Sequence, residues 1–287
     1  MNIKKPIFIL GSGRSGTTIL YHLLAAHPDV CWFSNIMNSH PDHPGLGIFN
    51  RLVDLPRIGR LIKQSIIQKS PTSYIYPSEG ERIYSRFGFM DDQKTLKPTK
   101  GLREDAFKKN VSQLQLITGK KRFLNKRTAN TQRLNVIQTI FPDAYYIHII
   151  RDGRAVASSL LQASWWKNVP IWWHNGKQPH EWEQEGKEPI EFCALHWQHN
   201  VEEIRKQSEK LTPRYIEIRY EDLINDVLGS VKRILMFCML PLSKTYFPIL
   251  PTTLPNMNNS WKNKLTDHQK KILQDTIGSY IQHLGYA

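Results

Sequence analysis

Gly11-Ser12-Gly13-Arg14-Ser15-Gly16-Thr17-Thr18 directly follows the apolar run Pro6-Ile7-Phe8-Ile9-Leu10. These residue types in this order make a strand, a glycine-rich turn and a helix opening near Thr17. Such a turn aims several backbone N–H groups at one point, at the positive end of a helix dipole, and that arrangement binds phosphate. Ser12, Gly13, Ser15 and Gly16 shape the cradle, and Thr17 and Thr18 add hydroxyl donors. Arg14 supplies positive charge from inside the loop. Without a ligand the stretch would be a plain tight turn, and Arg14 between two glycines would have no task in it.

The spacing is almost that of the nucleoside-triphosphate loop G-x-x-x-x-G-K-[ST], with Thr17 where that loop has its lysine. That lysine reaches the far phosphates of a triphosphate, so a different phosphate ligand is expected. Gly-x-x-Arg-Ser-Gly-Thr-Thr after an N-terminal strand resembles the 5′-phosphosulfate loop of sulfotransferases that use 3′-phosphoadenosine 5′-phosphosulfate (PAPS). A second block, Tyr146-Ile147-His148-Ile149-Ile150-Arg151-Asp152-Gly153-Arg154-Ala155-Val156-Ala157-Ser158-Ser159, is again strand, turn and helix. The resemblance implies that Arg151 and Ser159 hold the donor's 3′-phosphate, with Ser158 the substitute if the helix is offset by one residue. Arg154 would be an additional phosphate contact. The C-terminal Ser260-Trp261-Lys262 resembles the segment with which the family closes over its donor. There Trp261 would lie near the adenine, and Lys262 and Lys264 near the phosphates. The resemblance spans nearly the whole chain and is closest to the bacterial and Golgi-type branches.

Catalysis of this kind neutralises the departing phosphate, aligns the donor and removes a proton from the acceptor. Arg14 serves the first task. The resemblance implies that Lys126, ending the strand Lys121–Lys126, would stabilise charge on the bridging oxygen. Its other reading is a solvated lysine among Lys120, Lys121, Arg122 and Arg127. Thr128 stands where the cytosolic branch has its catalytic histidine. The early glutamate of Golgi-type relatives is also missing, since Cys31-Trp32-Phe33-Ser34-Asn35 holds no carboxylate. Glu79 in Tyr76-Pro77-Ser78-Glu79 is the preferred base, with Glu81, His40 and His43 as the other candidates. No metal is required, and the scattered histidines form no ligand pattern.

These residues need a scaffold. Strands at 6–10, 30–33, 121–126, 144–150 and 215–219 alternate with helices, which implies a mostly parallel sheet. The expected helices are 17–26, one or two within 51–69, 105–118 capped by Asp105 and ended by Gly119, 130–140, from Ala155, 190–208, 227–239 and 266–284 capped by Thr266. Residues 34–50 read as loop and 70–104 as irregular. The expected fold is a single α/β domain over residues 1–287, a central sheet flanked by helices in the manner of P-loop NTPases. Residues 34–104 and 160–200 would be acceptor-side insertions. The second holds Trp165, Trp166, Trp172, Trp173, Trp182 and Trp197. Trp197 reads as core, and Trp172 and Trp173 as pocket or lid. Oligomer contact is the other reading of that segment.

With 40% apolar residues in 287, the chain can bury a core, and its apolar runs are too short to span a bilayer. Met1–Lys5 leads straight into the first strand with no signal-like leader. Three dispersed cysteines form no disulfide framework, and a cytoplasmic setting is expected. The net charge of +14 suits an anionic partner. The basic residues form no single tract, and no nucleic-acid partner is expected. The expected activity is transfer of a sulfuryl group from PAPS to a hydroxyl or amine of a small molecule, glycan or lipid. The alternatives are a P-loop kinase or NTPase acting on a small molecule, and a non-catalytic basic anion-binding protein.

Overall fold

Ile7, Phe8, Ile9 and Leu10 are all buried, and they alternate in the side of the sheet they serve. Ile7 and Ile9 join one apolar cluster, while Phe8 and Leu10 join another. A strand covered on both faces must be apolar at every position, which is why this run carries no alternation. The computed structural model describes residues 4–68, 74–89 and 101–286. The strands are β1 (Ile7–Leu10), β2 (Val30–Cys31), β3 (Arg122–Lys126), β4 (Tyr145–Ile150) and β5 (Tyr215–Arg219). They form one sheet in the order β2-β3-β1-β4-β5, and every pairing is parallel. The expected α/β architecture is therefore present.

The register aligns the strand ends. Ile9 faces Lys126 and Ile147, and Ile150 faces Arg219. The chain leaves β1 toward β2 on one side and leaves β4 toward β5 on the other. The crevice between β1 and β4 is thus the topological switch point, where ligands bind in open α/β sheets. A third cluster, built on Trp197, Phe192, Trp166 and Leu273, packs helices 153–161, 189–208 and 267–283 together beside the sheet.

Several local expectations are revised. Residues 34–50 are not a loop: Asn35–Ser39 is helical and Pro44–Asp54 is a long 3₁₀ run. Within 70–104, Glu81–Arg86 forms a helix opened by Gly80 at φ 81°. Residues 70–73 and 90–100 of that stretch, and Met1–Ile3, lie outside the described residues. Asp105 does not cap the helix Glu104–Thr118 but sits in its first turn, where a carboxylate complements the dipole; Gly119 does end it, at φ 70°. The helix expected over 130–140 is split into a 3₁₀ turn, Thr128–Gln132, and a helix, Leu134–Ile140. The helix after β4 starts at Gly153 because Asp152 caps it, its side chain accepting from the Arg154 N–H at 2.9 Å. Tyr220–Asn225 is a helix continuing from β5. Thr266 caps the last helix, Asp267–His283, in a capping box with Gln269.

Candidate active site

The glycine turn after β1 is tightly specified. Ser15 N–H donates to the Ser12 carbonyl at 3.2 Å, and Arg14 takes the left-handed conformation at φ 70°. A non-glycine residue held there stores strain that the surroundings must support. Gly16 has φ 92°, and a Cβ on it would come within 2.5 Å of the Tyr220 ring. Glycine is required at this position twice over, by conformation and by contact. Gly13 shows neither constraint. Ser12, Ser15 and Thr17 are buried and Arg14 is exposed.

The loop after β4 joins this turn. Arg151 is buried, and its Nη1 donates to the Arg14 carbonyl at 3.1 Å. Its Nε and Nη2 donate to Asn258 Oδ1 and the Met257 carbonyl at 3.1 and 3.0 Å. The guanidinium lies 4.5 Å from the Tyr220 ring centroid. Burial pulls its pKa below the ordinary arginine value, offset in part by Tyr220 and Glu221. Ser159, two turns into the helix, accepts from Arg14 Nε at 2.8 Å. The two sequence motifs are thus hydrogen-bonded into one cradle. Arg14, Gly16, Thr17, Thr18, Arg151, Ser158 and Ser159 line a cavity of 580 Å³, a size that suits a nucleotide.

The other donor candidates separate. Trp261 is buried against Arg154, whose guanidinium lies 4.9 Å from its ring centroid, and it does not line the cavity. Lys262 is exposed and likewise outside the lining, whereas Ser260, Lys264, Trp165, Met257 and Tyr220 line it. Arg154 also clamps Asp152, donating through Nη2 at 2.8 Å.

A second cavity of 430 Å³ shares Arg14, Thr17, Thr18 and Trp165 with the first, and adds Lys126, Glu79, Thr128, Trp166, His196 and Asn200. Lys126, buried at the end of β3, forms an ion pair with Glu79. The second Glu79 oxygen accepts from the Thr128 N–H at 3.2 Å. Glu79 is placed by backbone pairing rather than by a long element. Ser78 N–H donates to the Phe33 carbonyl at 2.7 Å, and Asn35 N–H to the Tyr76 carbonyl at 2.9 Å. Asn125 Nδ2 holds the Glu79 carbonyl at 3.1 Å. A carboxylate from residue 79 is therefore delivered beside the Phe33–Asn35 stretch, which has none of its own. The remaining base candidates are engaged or distant. Glu81 accepts two hydrogen bonds from the fully buried Arg127, at 2.8 and 2.6 Å. His40 donates from Nδ1 to the Ile36 carbonyl at 3.2 Å; His40 and His43 are exposed, and neither lines these cavities.

The tryptophans also sort themselves. Trp197 is core, packed so closely on Gly153 that a Cβ there would come within 2.5 Å of its ring. Trp165 and Trp166 line the second cavity, whereas Trp172 and Trp173 do not. Trp173 instead donates its indole N–H to His196 Nδ1 at 3.2 Å, which leaves Nε2 as the protonated nitrogen of a neutral ring. Burial holds His196 neutral, with its pKa pushed down to about 3. A third cavity of 550 Å³, lined by Tyr21, His22, Tyr76 and Ser78, meets the second at Thr18, Glu79, Glu81 and Lys126. Tyr220, Asn258, His196 and Asn200 are site residues that sequence reasoning misses. Tyr220 has a signal, in the Tyr-Glu-Asp-Leu closing β5. Among the described residues, no group of three His, Cys, Asp or Glu side chains is placed to hold a metal ion.

The chain matches the profile of the Sulfotransferase family over residues 6–244. It is 25% identical over 303 residues to the omega-hydroxy-beta-dihydromenaquinone-9 sulfotransferase Stf3 of Mycobacterium bovis, covering 98% of this chain and 75% of that protein. The sulfotransferase domain from the curacin biosynthetic pathway has a similar fold, with TM-score 0.57 at 15% identity, covering 100% of this chain and 99% of that one. Sulfotransferase STF9 from Mycobacterium avium gives TM-score 0.56 at 16% identity, covering 99% of this chain and 77% of that one.

Proposed function

This chain belongs to the sulfotransferase family, and from that premise we propose how its residues move a sulfuryl group from PAPS to an acceptor hydroxyl or amine. The observation that carries the reading is the Lys126–Glu79 pair on the wall of a cavity that shares Arg14, Thr17 and Thr18 with the donor cradle. The loop N–H groups, Thr17 and Thr18 hold the 5′-phosphate, with Arg14 neutralising it. Arg151 and Ser159 hold the 3′-phosphate. Trp165 and Tyr220 are the aromatic rings available to the adenine.

In the reaction the acceptor oxygen or nitrogen forms a bond to sulfur, and the bond from sulfur to the 5′-phosphate oxygen breaks. The electron pair of that bond leaves with the phosphate. Lys126 and Arg14 stabilise this departing charge, as positioned cations do in phosphoryl transfer. The acceptor proton goes to Glu79. A carboxylate held by an ammonium is a poor base. We therefore place Lys126 on the bridging oxygen once donor is bound, which releases Glu79 for the proton.

The acceptor enters through the cavities lined by Trp165 and Trp166 from segment 160–200, Tyr76 from segment 34–104, and Tyr21 from the helix Thr17–Ala25. Aromatic walls favour an acceptor with an apolar body, a lipid or other small molecule over a glycan. The Mycobacterium bovis relative is named for such a compound. Three buried free cysteines, Cys31, Cys193 and Cys238, support a cytoplasmic setting. Among the described residues no helix is long and apolar enough to cross a membrane.

The test is a screen of hydroxylated lipids, phenols and sugars with PAPS, followed by Glu79→Gln. Retained donor affinity with lost turnover supports Glu79 as the proton acceptor. Turnover equal to wild type would remove Glu79 as the base.

A further inference from the structure

Thirteen large apolar side chains are exposed among the described residues, and five of them fall between Ile48 and Leu61. Ile48, Phe49, Leu55, Ile58 and Leu61 are between 42% and 66% exposed. They lie on the 3₁₀ run Pro44–Asp54, the corner after it, and the helix Ile58–Ile67. Gly59 packs against the Val53 carbonyl, which folds the two elements tightly together. Helical spacing sets Leu61 on the solvent side next to Arg57, opposite the buried Gly59 and Ile66.

The charge on this face is one-sided. Between Pro44 and Gln68 the chain has Arg51, Arg57, Arg60 and Lys63 against the single acid Asp54. Asp54 is taken by Lys120 at 2.5 Å. Arg51, Arg57 and Arg60 are exposed, and none of their side chains makes a hydrogen bond or ion pair with another described residue. Apolar side chains interleaved with unpaired arginines are the pattern of an interfacial helix, whose apolar groups enter the headgroup boundary while cations meet lipid phosphates.

We propose that this face docks the protein onto an anionic lipid bilayer. Charge complementarity selects that occupant. A second copy related by a two-fold axis would set the same three arginines against each other. The face also adjoins the acceptor side. Tyr76, which lines the cavity reaching Glu79, donates to the Ile66 carbonyl at 3.4 Å in the last turn of the docking helix. The proposal does not depend on sulfuryl transfer, since docking is measured without donor or acceptor.

The experiment is flotation of the protein with vesicles of phosphatidylglycerol mixed with phosphatidylcholine, and with phosphatidylcholine alone. Wild type is expected to float with the anionic vesicles, to bind the neutral ones weakly, and to be released by salt. The pair Arg57→Gln and Arg60→Gln is expected to weaken binding about fivefold per arginine. The pair Ile58→Glu and Leu61→Glu is expected to weaken it by at least about tenfold. All four positions are exposed, and an unchanged melting curve confirms that each variant folds. Three results would overturn the proposal. Wild type fails to float with either vesicle; or the glutamate variant floats as well as wild type, so that overall positive charge accounts for binding; or sedimentation shows a wild-type dimer that the glutamate variant dissociates.

Discussion

Arg14 sits in the loop after β1, and Arg151 and Ser159 sit in the loop and helix after β4, more than 130 positions away, yet direct hydrogen bonds connect them. Each arginine should therefore matter to the same ligand. Arg14→Ala and Arg151→Ala are expected to weaken binding of 3′,5′-adenosine bisphosphate by roughly 1.5–3 kcal/mol each, the worth of a charge-assisted hydrogen bond. Isothermal titration measures this, and wild-type affinity in both variants would remove the cradle from the donor site. Glu79→Gln separates a base from a structural partner of Lys126. As a base, its loss should lower turnover about 10²- to 10⁴-fold with donor affinity kept. A merely structural partner would instead show a lower melting temperature and weaker donor binding together. The sequence points to Arg14 because the chemistry of its loop is local, and to Arg151 and Ser159 through the resemblance of the second strand-turn-helix block. It cannot show that Glu79 meets Lys126, since that contact depends on the Ser78-to-Phe33 backbone pairing. It also sets Trp261 near the adenine, whereas Arg154 and the helices beside the sheet bury that ring.

At the scale of elements, the strands are legible because both faces of the sheet are covered, leaving runs such as Ile7–Leu10 wholly apolar. Asn35–Ser39 and Pro44–Asp54 are not, since proline, glycine and histidine there suggest turns while tertiary packing of Met37 and Val53 holds helical conformation. The break at Arg133 similarly splits a pattern that reads as one amphipathic helix. The latch on Arg151 includes the Met257 carbonyl, a contact that no side-chain type announces. Two substitutions test how the elements are fixed. Thr266→Ala removes the capping box of Asp267–His283 and should destabilise the fold by about 1 kcal/mol in chemical denaturation, leaving donor affinity alone. Gly16→Ala should do the reverse in emphasis. Its Cβ would press on Tyr220, displace the ring beneath Arg151, and reduce bisphosphate affinity more than stability.

Over the whole molecule, burial holds His148 and His196 below the ordinary histidine value of 6.5, with Glu217 partly opposing the effect at His148. Both are neutral when folded and take up a proton in the unfolded chain as pH falls below that value. Their contribution is therefore fully present above pH 6.5 and is lost as the solution is acidified. Each can add a slope of up to about 1.4 kcal/mol per pH unit. Calorimetric melting is expected to show a clear loss of stability between about pH 7.5 and about pH 5.5, flattened in His196→Gln. An equal melting temperature at the two values would contradict this.

The proposed donor cradle supports everything else in the mechanism. The most direct measurement is calorimetric titration with 3′,5′-adenosine bisphosphate beside ATP and 5′-AMP, without magnesium. Tight binding of the bisphosphate, with ATP and 5′-AMP far weaker, is expected from a site with Arg14 at one phosphate and Arg151 with Ser159 at the other. Equal binding of all three, or none, would contradict it.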